Sequence, residues 1–125
     1  MAAPNIVNVT SILGKTVFDA DISTSDDVLL ENAASSNKLL KINSLVISNI
    51  DGANSATITV TIKNAAGNTV LGYLAKTIAV PPDSTLVVVS KHTSIYLEED
   101  MEITLDASAA GDLSAVCSYE ALDDA

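Results

Sequence analysis

The sequence predicts an all-β chain folded as an antiparallel β-sandwich, Ig-like or jelly-roll-like, with eight or nine strands. Three observations predict it. Across residues 56–63, Ala56, Ile58, Val60 and Ile62 alternate with Thr57, Thr59, Thr61 and Lys63, a period of two rich in β-branched residues that fits a half-buried strand. Turn-forming clusters recur about every 8–12 residues, the rhythm of a sandwich or barrel. No segment of any length carries the 3.6-residue apolar period of an amphipathic helix.

The elements follow in order. Residues 6–13 and 16–22 read as strands flanking Gly14, and residues 28–30 as a short strand after the polar break 23–27. Residues 32–37 read as a loop. In residues 38–50, Leu40 and Ile42 hold one phase and Leu45 and Ile47 the other, so a bulge or bend is predicted near Asn43-Ser44. Residues 51–55 (Asp-Gly-Ala-Asn-Ser) have turn chemistry and predict a hairpin to the strand at 56–63. After the turn 65–68 come residues 69–75 and 76–80, ended by Pro81-Pro82-Asp83, which breaks the ladder because proline has no N–H to donate. The apolar run in 85–90 predicts a strand buried on both faces. Residues 95–97, 101–105 and 113–121 complete the set, separated by Glu98-Glu99-Asp100 and by residues 107–112. No linker divides the chain, so residues 1–125 read as one domain.

Composition narrows the function. Hydrophobic residues make up 48% of the chain and the mean hydropathy is +0.36, too apolar for a disordered protein. No apolar run reaches the ~20 residues that span a bilayer as a helix, so no membrane partner is expected. The opening ten residues lack a basic stretch followed by an apolar one, and a signal peptide is not expected. Six lysines and no arginine face sixteen carboxylates, a formal charge of −10. Phosphate recognition rests on clustered Lys and Arg, so nucleic acid is excluded as a partner.

The chemical inventory is sparse. His92 is the sole histidine and Cys117 the sole cysteine, which excludes an internal disulfide and a His-rich metal or catalytic cluster. His92 reads as a loop residue. Cys117 is in phase with Leu113, Ala115 and Tyr119 and reads as a small buried hydrophobe. The acidic runs Asp26-Asp27, Glu98-Glu99-Asp100 and Asp123-Asp124 fit no EF-hand spacing, and neighbouring strand residues point to opposite faces. They read as solvated loop acids. No glycine-rich phosphate cradle is present. Tyr73, Tyr96 and Tyr119 fall within strands and read as core or rim packing, which leaves a glycan-binding module weakly equipped. An enzyme is not expected, and no cofactor or metal is called for.

From Lys41 to Glu120 the chain resembles small virion structural proteins of tailed phages, in particular marine phages with contractile tails. The matching stretches are Lys41-Ile-Asn-Ser-Leu-Val-Ile-Ser-Asn49, Ile78-Ala-Val-Pro-Pro-Asp-Ser-Thr-Leu86, Ser90-Lys-His-Thr-Ser-Ile-Tyr-Leu-Glu-Glu-Asp100 and residues 107–120, together with the start at residues 1–10. The resemblance covers about two thirds of the chain and rests on scaffold, not on a catalytic motif. It implies a virion component, made in the host cytoplasm; small size, an all-β fold, sparse chemistry and strong acidity then point to a capsid decoration subunit on the outer capsid surface. Its partner would be the major capsid protein or another virion protein. A neck or tail accessory protein is the alternative within the virion, and a host-glycan module the alternative outside it. Multivalent docking on a lattice favours a homo-oligomer, with a trimer the first expectation. The candidate contact residues are Ile6, Val7, Val9, Ile12 and Leu13 in residues 1–13. These are too apolar for a free tail and suit an interaction arm or swapped edge strand, or else a strand of the subunit's own sheet.

Overall fold

The structure, a computed structural model, describes residues 7–123. These residues form nine strands: β1 (Ser11–Asp19), β2 (Asp27–Asn32), β3 (Lys38–Asn49), β4 (Ala56–Asn64), β5 (Thr69–Val80), β6 (Thr85–Val89), β7 (Ile95–Leu97), β8 (Met101–Ala107) and β9 (Leu113–Asp123). The one helical element among the described residues is a 3₁₀ turn, Lys91–Thr93. The strands form two antiparallel sheets. One runs β1-β9-β3-β6, with β7 beside β6 on the same edge of β3, and the other runs β2-β8-β4-β5. This is the jelly-roll alternative, because the chain changes sheet at most of its connections.

Apolar residues of one phase on each strand close the core. Ile42, Leu45 and Ile47 of β3 and Leu113, Ala115 and Cys117 of β9 meet Ile58 and Val60 of β4 and Ile103 and Leu105 of β8. The phase change foreseen in β3 is a bulge. Ile42 pairs with Tyr119 and Ser44 with Ser118, so Asn43 is the extra residue. One inserted residue restores the apolar phase on the inner face after the strand bends.

Four expectations need correction. Residues 51–55 do not close a hairpin: β3 and β4 lie in different sheets, and this segment carries the chain across the core. Turn chemistry sets a local reversal of direction and says nothing about which sheet the next strand joins. The run at 85–90 is not buried on both faces. It is edge strand β6, with Val89 buried and Val87 57% exposed. Residues 69–75 and 76–80 form a single strand, β5, bent where Thr77 adopts φ 45° and its N–H is taken up by Thr59 Oγ1 at 3.0 Å. Gly14 does not divide two strands either, since β1 passes straight through it.

Two buried asparagines fix the crossings between sheets. Asn32 ends β2, and its amide donates to the carbonyls of Lys38 and Leu97, both at 2.9 Å. Asn49 ends β3 and donates to the carbonyls of Asn54 at 2.9 Å and Val80 at 2.8 Å. Its Oδ1 accepts the Asp51 N–H at 2.9 Å. Each side chain thus satisfies backbone groups that the ladder leaves unpaired where a strand gives out.

Candidate interaction surface

The predicted contact segment divides at Ser11. Ile12 and Leu13 belong to β1, an edge strand of the subunit's own sheet, paired with Leu122 and Ala121 of β9. Their side chains are nevertheless 57% and 51% exposed. Val7 is more exposed still, Val9 is partly covered, and Ile6 lies outside the described residues. The Thr10 N–H donates to the Asp123 carbonyl at 2.8 Å, so the chain joins the sheet at that point. The own-sheet alternative therefore describes residues 11–13.

Beneath β1 the two sheets part. A cleft of about 200 Å³ opens between β1 and β9 on one side and β2 on the other, lined by Lys15, Leu30, Glu31, Lys38, Tyr119 and Ala121 among others. Two of its other lining residues, Ser36 and Asn32, are joined by a hydrogen bond from the Ser36 hydroxyl to Asn32 Oδ1 at 2.5 Å. His92 is exposed on the 3₁₀ turn. Cys117 is fully buried, and burial pushes its thiol up to about 11, the behaviour of an inert thiol.

The acidic runs build turns and pairs. Asp26 forms a salt bridge with Lys63, Asp100 Oδ1 accepts the Ala66 N–H at 2.9 Å, and Glu99 Oε2 accepts the Asn37 N–H at 3.1 Å. Among the described residues no group of acids, histidine and cysteine is placed to hold a metal ion. Acids from separate segments do gather at one end of the sandwich, where Asp19 meets Asp27 and Asp112 meets Asp51, with Asp21 near both. Asp51 is held below the usual carboxylate range, first by the Ala53 N–H and then by Asn54. Asp112 is pushed up by loss of solvent, then by its hydrogen bond to Asp51 and the Asp51 charge. Asp27 is lowered chiefly by the Ser23 hydroxyl, at 2.5 Å, and by the Ser23 N–H, at 3.0 Å.

Asp19 is the most perturbed acid of this group. Burial first, then the hydrogen bond to Asp27 and the Asp27 charge, raise it from 3.8 to about 6. An acid raised on folding adds stability that is present at low pH and lost as pH climbs through the window from 3.8 to about 6. Asp19→Asn keeps a donor to Asp27 and removes the like charge. It is expected to raise stability at pH 7 by on the order of 1 kcal/mol, the full shift being discounted because Asp19 keeps contact with solvent, and to leave pH 4 unchanged. Urea unfolding at the two pH values checks this.

The outer face of the five-stranded sheet carries residues that the sequence reading passed over. In register across the strands stand Phe18, Val116, Val46 and Val87, from β1, β9, β3 and β6. Phe18 and Val87 are more than half exposed, Val116 is 38% exposed and Val46 partly covered. Their signal was present as consecutive apolar residues within strands: Val17-Phe18, Leu45-Val46-Ile47, Leu86-Val87-Val88 and Ala115-Val116-Cys117. Alternation forces one residue of each such run outward. The exposed tyrosines do not share a platform. Tyr73 lies on β5 and Tyr96 on β7, in different sheets, and the Lys76 ammonium sits 5.1 Å from the Tyr73 ring.

No protein-family model matches the chain, and no curated protein matches it. Among solved structures it is similar to a chain described under "Bacillus endospore appendages form a novel family of disulfide-linked pili". The two are 14% identical over 92% of this chain and 90% of that one, with a TM-score of 0.52. At that identity the likeness is one of fold. Among the described residues no helix is long and apolar enough to cross a membrane.

Proposed function

We propose that the chain is a structural protein of a phage virion, a decoration subunit that stabilises the outer head surface through protein contacts. The observation that carries this reading is the exposed apolar edge at β1, where the Ile12 and Leu13 side chains are each more than half exposed. Such an edge can accept a strand or an apolar surface from a neighbour. The resemblance over residues 41–120 supports it, and jelly rolls recur in capsid and lectin domains, an analogy of scaffold. The Bacillus appendage chain belongs to a pilus by its description, another surface assembly. Disulfide linkage does not carry over, because Cys117 is buried.

Mass spectrometry of purified virions tests membership, and cryo-EM of the particle tests position. A copy number in the hundreds marks the head, whereas a count at the level of one ring marks the neck or tail alternative. Absence of the chain from the particle overturns the proposal.

Residues 2–10 precede edge strand β1, and of them Thr10 makes one backbone bond to β9. Their deletion is expected to leave the domain folded, with a thermal midpoint within a few degrees of the parent, and to weaken retention on the particle. Circular dichroism and particle pull-down measure the two effects. Unfolding of the truncated domain would assign this segment to the fold and not to assembly.

A further inference from the structure

We propose that two copies of this chain pair face to face through the outer surface of the five-stranded sheet, about a twofold axis parallel to the strands and midway between β9 and β3. The inference rests on strand register and is independent of the virion reading.

The outward positions form rows that run across the sheet in the order β1, β9, β3 and then β6 or β7. The first row is Phe18, Val116, Val46 and Val87. Four residues further along β9, roughly 13 Å away, a second row is Gly14, Glu120, Lys41 and Tyr96. Between the two lie Thr16, Ser118 and Ser44. A twofold axis along the strands reverses every row upon itself. Val116 then meets Val46 of the second copy, and Phe18 meets its Val87. In the second row Glu120 meets Lys41 of the other copy, and the reverse, so that two charge pairs form across the axis. Tyr96 falls over Gly14, where a side chain would find nothing within 4 Å and a ring has room.

Charge supports a second copy as the occupant. The protein carries sixteen acids, yet Glu120 is the sole acid among the outward-facing strand positions of these rows, and Lys41 stands beside it in register. Copies of so acidic a protein repel one another least through this face. Aligned sheets cross at about 30° because each is twisted, and positions next to the axis are displaced least. Those positions are the Val116–Val46 and Glu120–Lys41 pairs. The next outward row, Leu122 and Leu39, is already buried, so the free face is roughly 23 Å long on four strands about 4.8 Å apart, about 450 Å² a side; that is the size of a weak interface, and the pairing is concentration-dependent. The register favours this pair over the trimer expected from the sequence.

Sedimentation equilibrium of the full chain, from micromolar to millimolar, tests it. The expected result is a monomer–dimer equilibrium whose Kd rises at least about tenfold in Val116→Glu. Lys41→Glu alone and Glu120→Lys alone should each weaken the dimer, and the double reversal should restore it. Circular dichroism should show all variants folded. If Val116→Glu fails to fold, Val87→Glu on the exposed edge strand makes the same test. A wild-type monomer throughout, a trimer, a dimer indifferent to the Val116 and Val87 variants, or a double reversal that fails to restore pairing would each overturn the proposal.

Discussion

Asn49→Ala is expected to lower the stability of the domain by about 3 kcal/mol, with a fall in thermal midpoint of roughly 10 °C. The amide of Asn49 satisfies the carbonyls of Asn54 and Val80 and the N–H of Asp51, and the residue is almost wholly buried. Removing it takes the side-chain partner from the Asn54 carbonyl and the Asp51 N–H and leaves the Val80 carbonyl only the long bond from the Ser55 hydroxyl, at 3.3 Å, where β3 ends and the chain crosses to the other sheet. A buried polar group left without a partner costs more than the net gain from an ordinary hydrogen bond. Asn32→Ala should cost a similar amount, since Asn32 holds Lys38 and Leu97 and accepts from the Ser36 hydroxyl. The two sites share no partner, so the double variant should show an additive loss. Thermal unfolding followed by circular dichroism reads all three. A drop below about 3 °C for either single variant would show that the crossing does not depend on its asparagine.

Lys63→Met is expected to cost about 2 kcal/mol at neutral pH and much less near pH 4. Lys63 is buried on the outer face of the four-stranded sheet, bridges to Asp26 and stands in register with Glu102. Glu102 is itself buried, and it is raised first by that burial and then by the Glu31 charge, while Lys63 acts to lower it. Without the lysine, Glu102, Glu31 and Asp26 repel one another across adjacent strands. The folded value of Glu102 then rises further above its unfolded value, so stability falls as pH climbs and returns as pH drops. Asp26 is half exposed, which keeps the cost below that of breaking a fully buried pair. Urea unfolding across pH 4 to 8 measures it. A flat difference between variant and parent over that range would mean that lost packing of the lysine stem, not charge, sets the cost.

The strands themselves were legible because alternation is a local signal. Ala56–Asn64 follows its period of two, and the phase change within Lys38–Asn49 located the bulge at Asn43. Pairing was not legible. The turn residues at 51–55 look like hairpin residues, and only the placement of β4 beside β5 and β8 makes them a crossing. Asn32 read as a loop residue and Asn49 as an ordinary strand residue, because their role depends on the carbonyls of Leu97 and Val80, far away in sequence. Of the contact surface, Ile12 and Leu13 were visible as surplus apolar residues. The row from Phe18 to Val87 was not visible as a row, since its members come from four strands and meet only through register.

The pairing of β1 with β9 has a consequence for how the molecule comes into being. Ser11 lies opposite Asp123, so the first strand finds its place only beside the last. During synthesis β1 leaves the ribosome with no partner, and β3 waits for the same strand to fill its flank. Contacts this distant along the chain must overcome loop closure before they are rewarded, which places folding on the millisecond-to-second scale typical of β-sandwiches. A ribosome-bound chain arrested before residue 113 should therefore keep β1 accessible to proteases. Release of the full chain should let β9 slot between β1 and β3, completing the sheet in one late step.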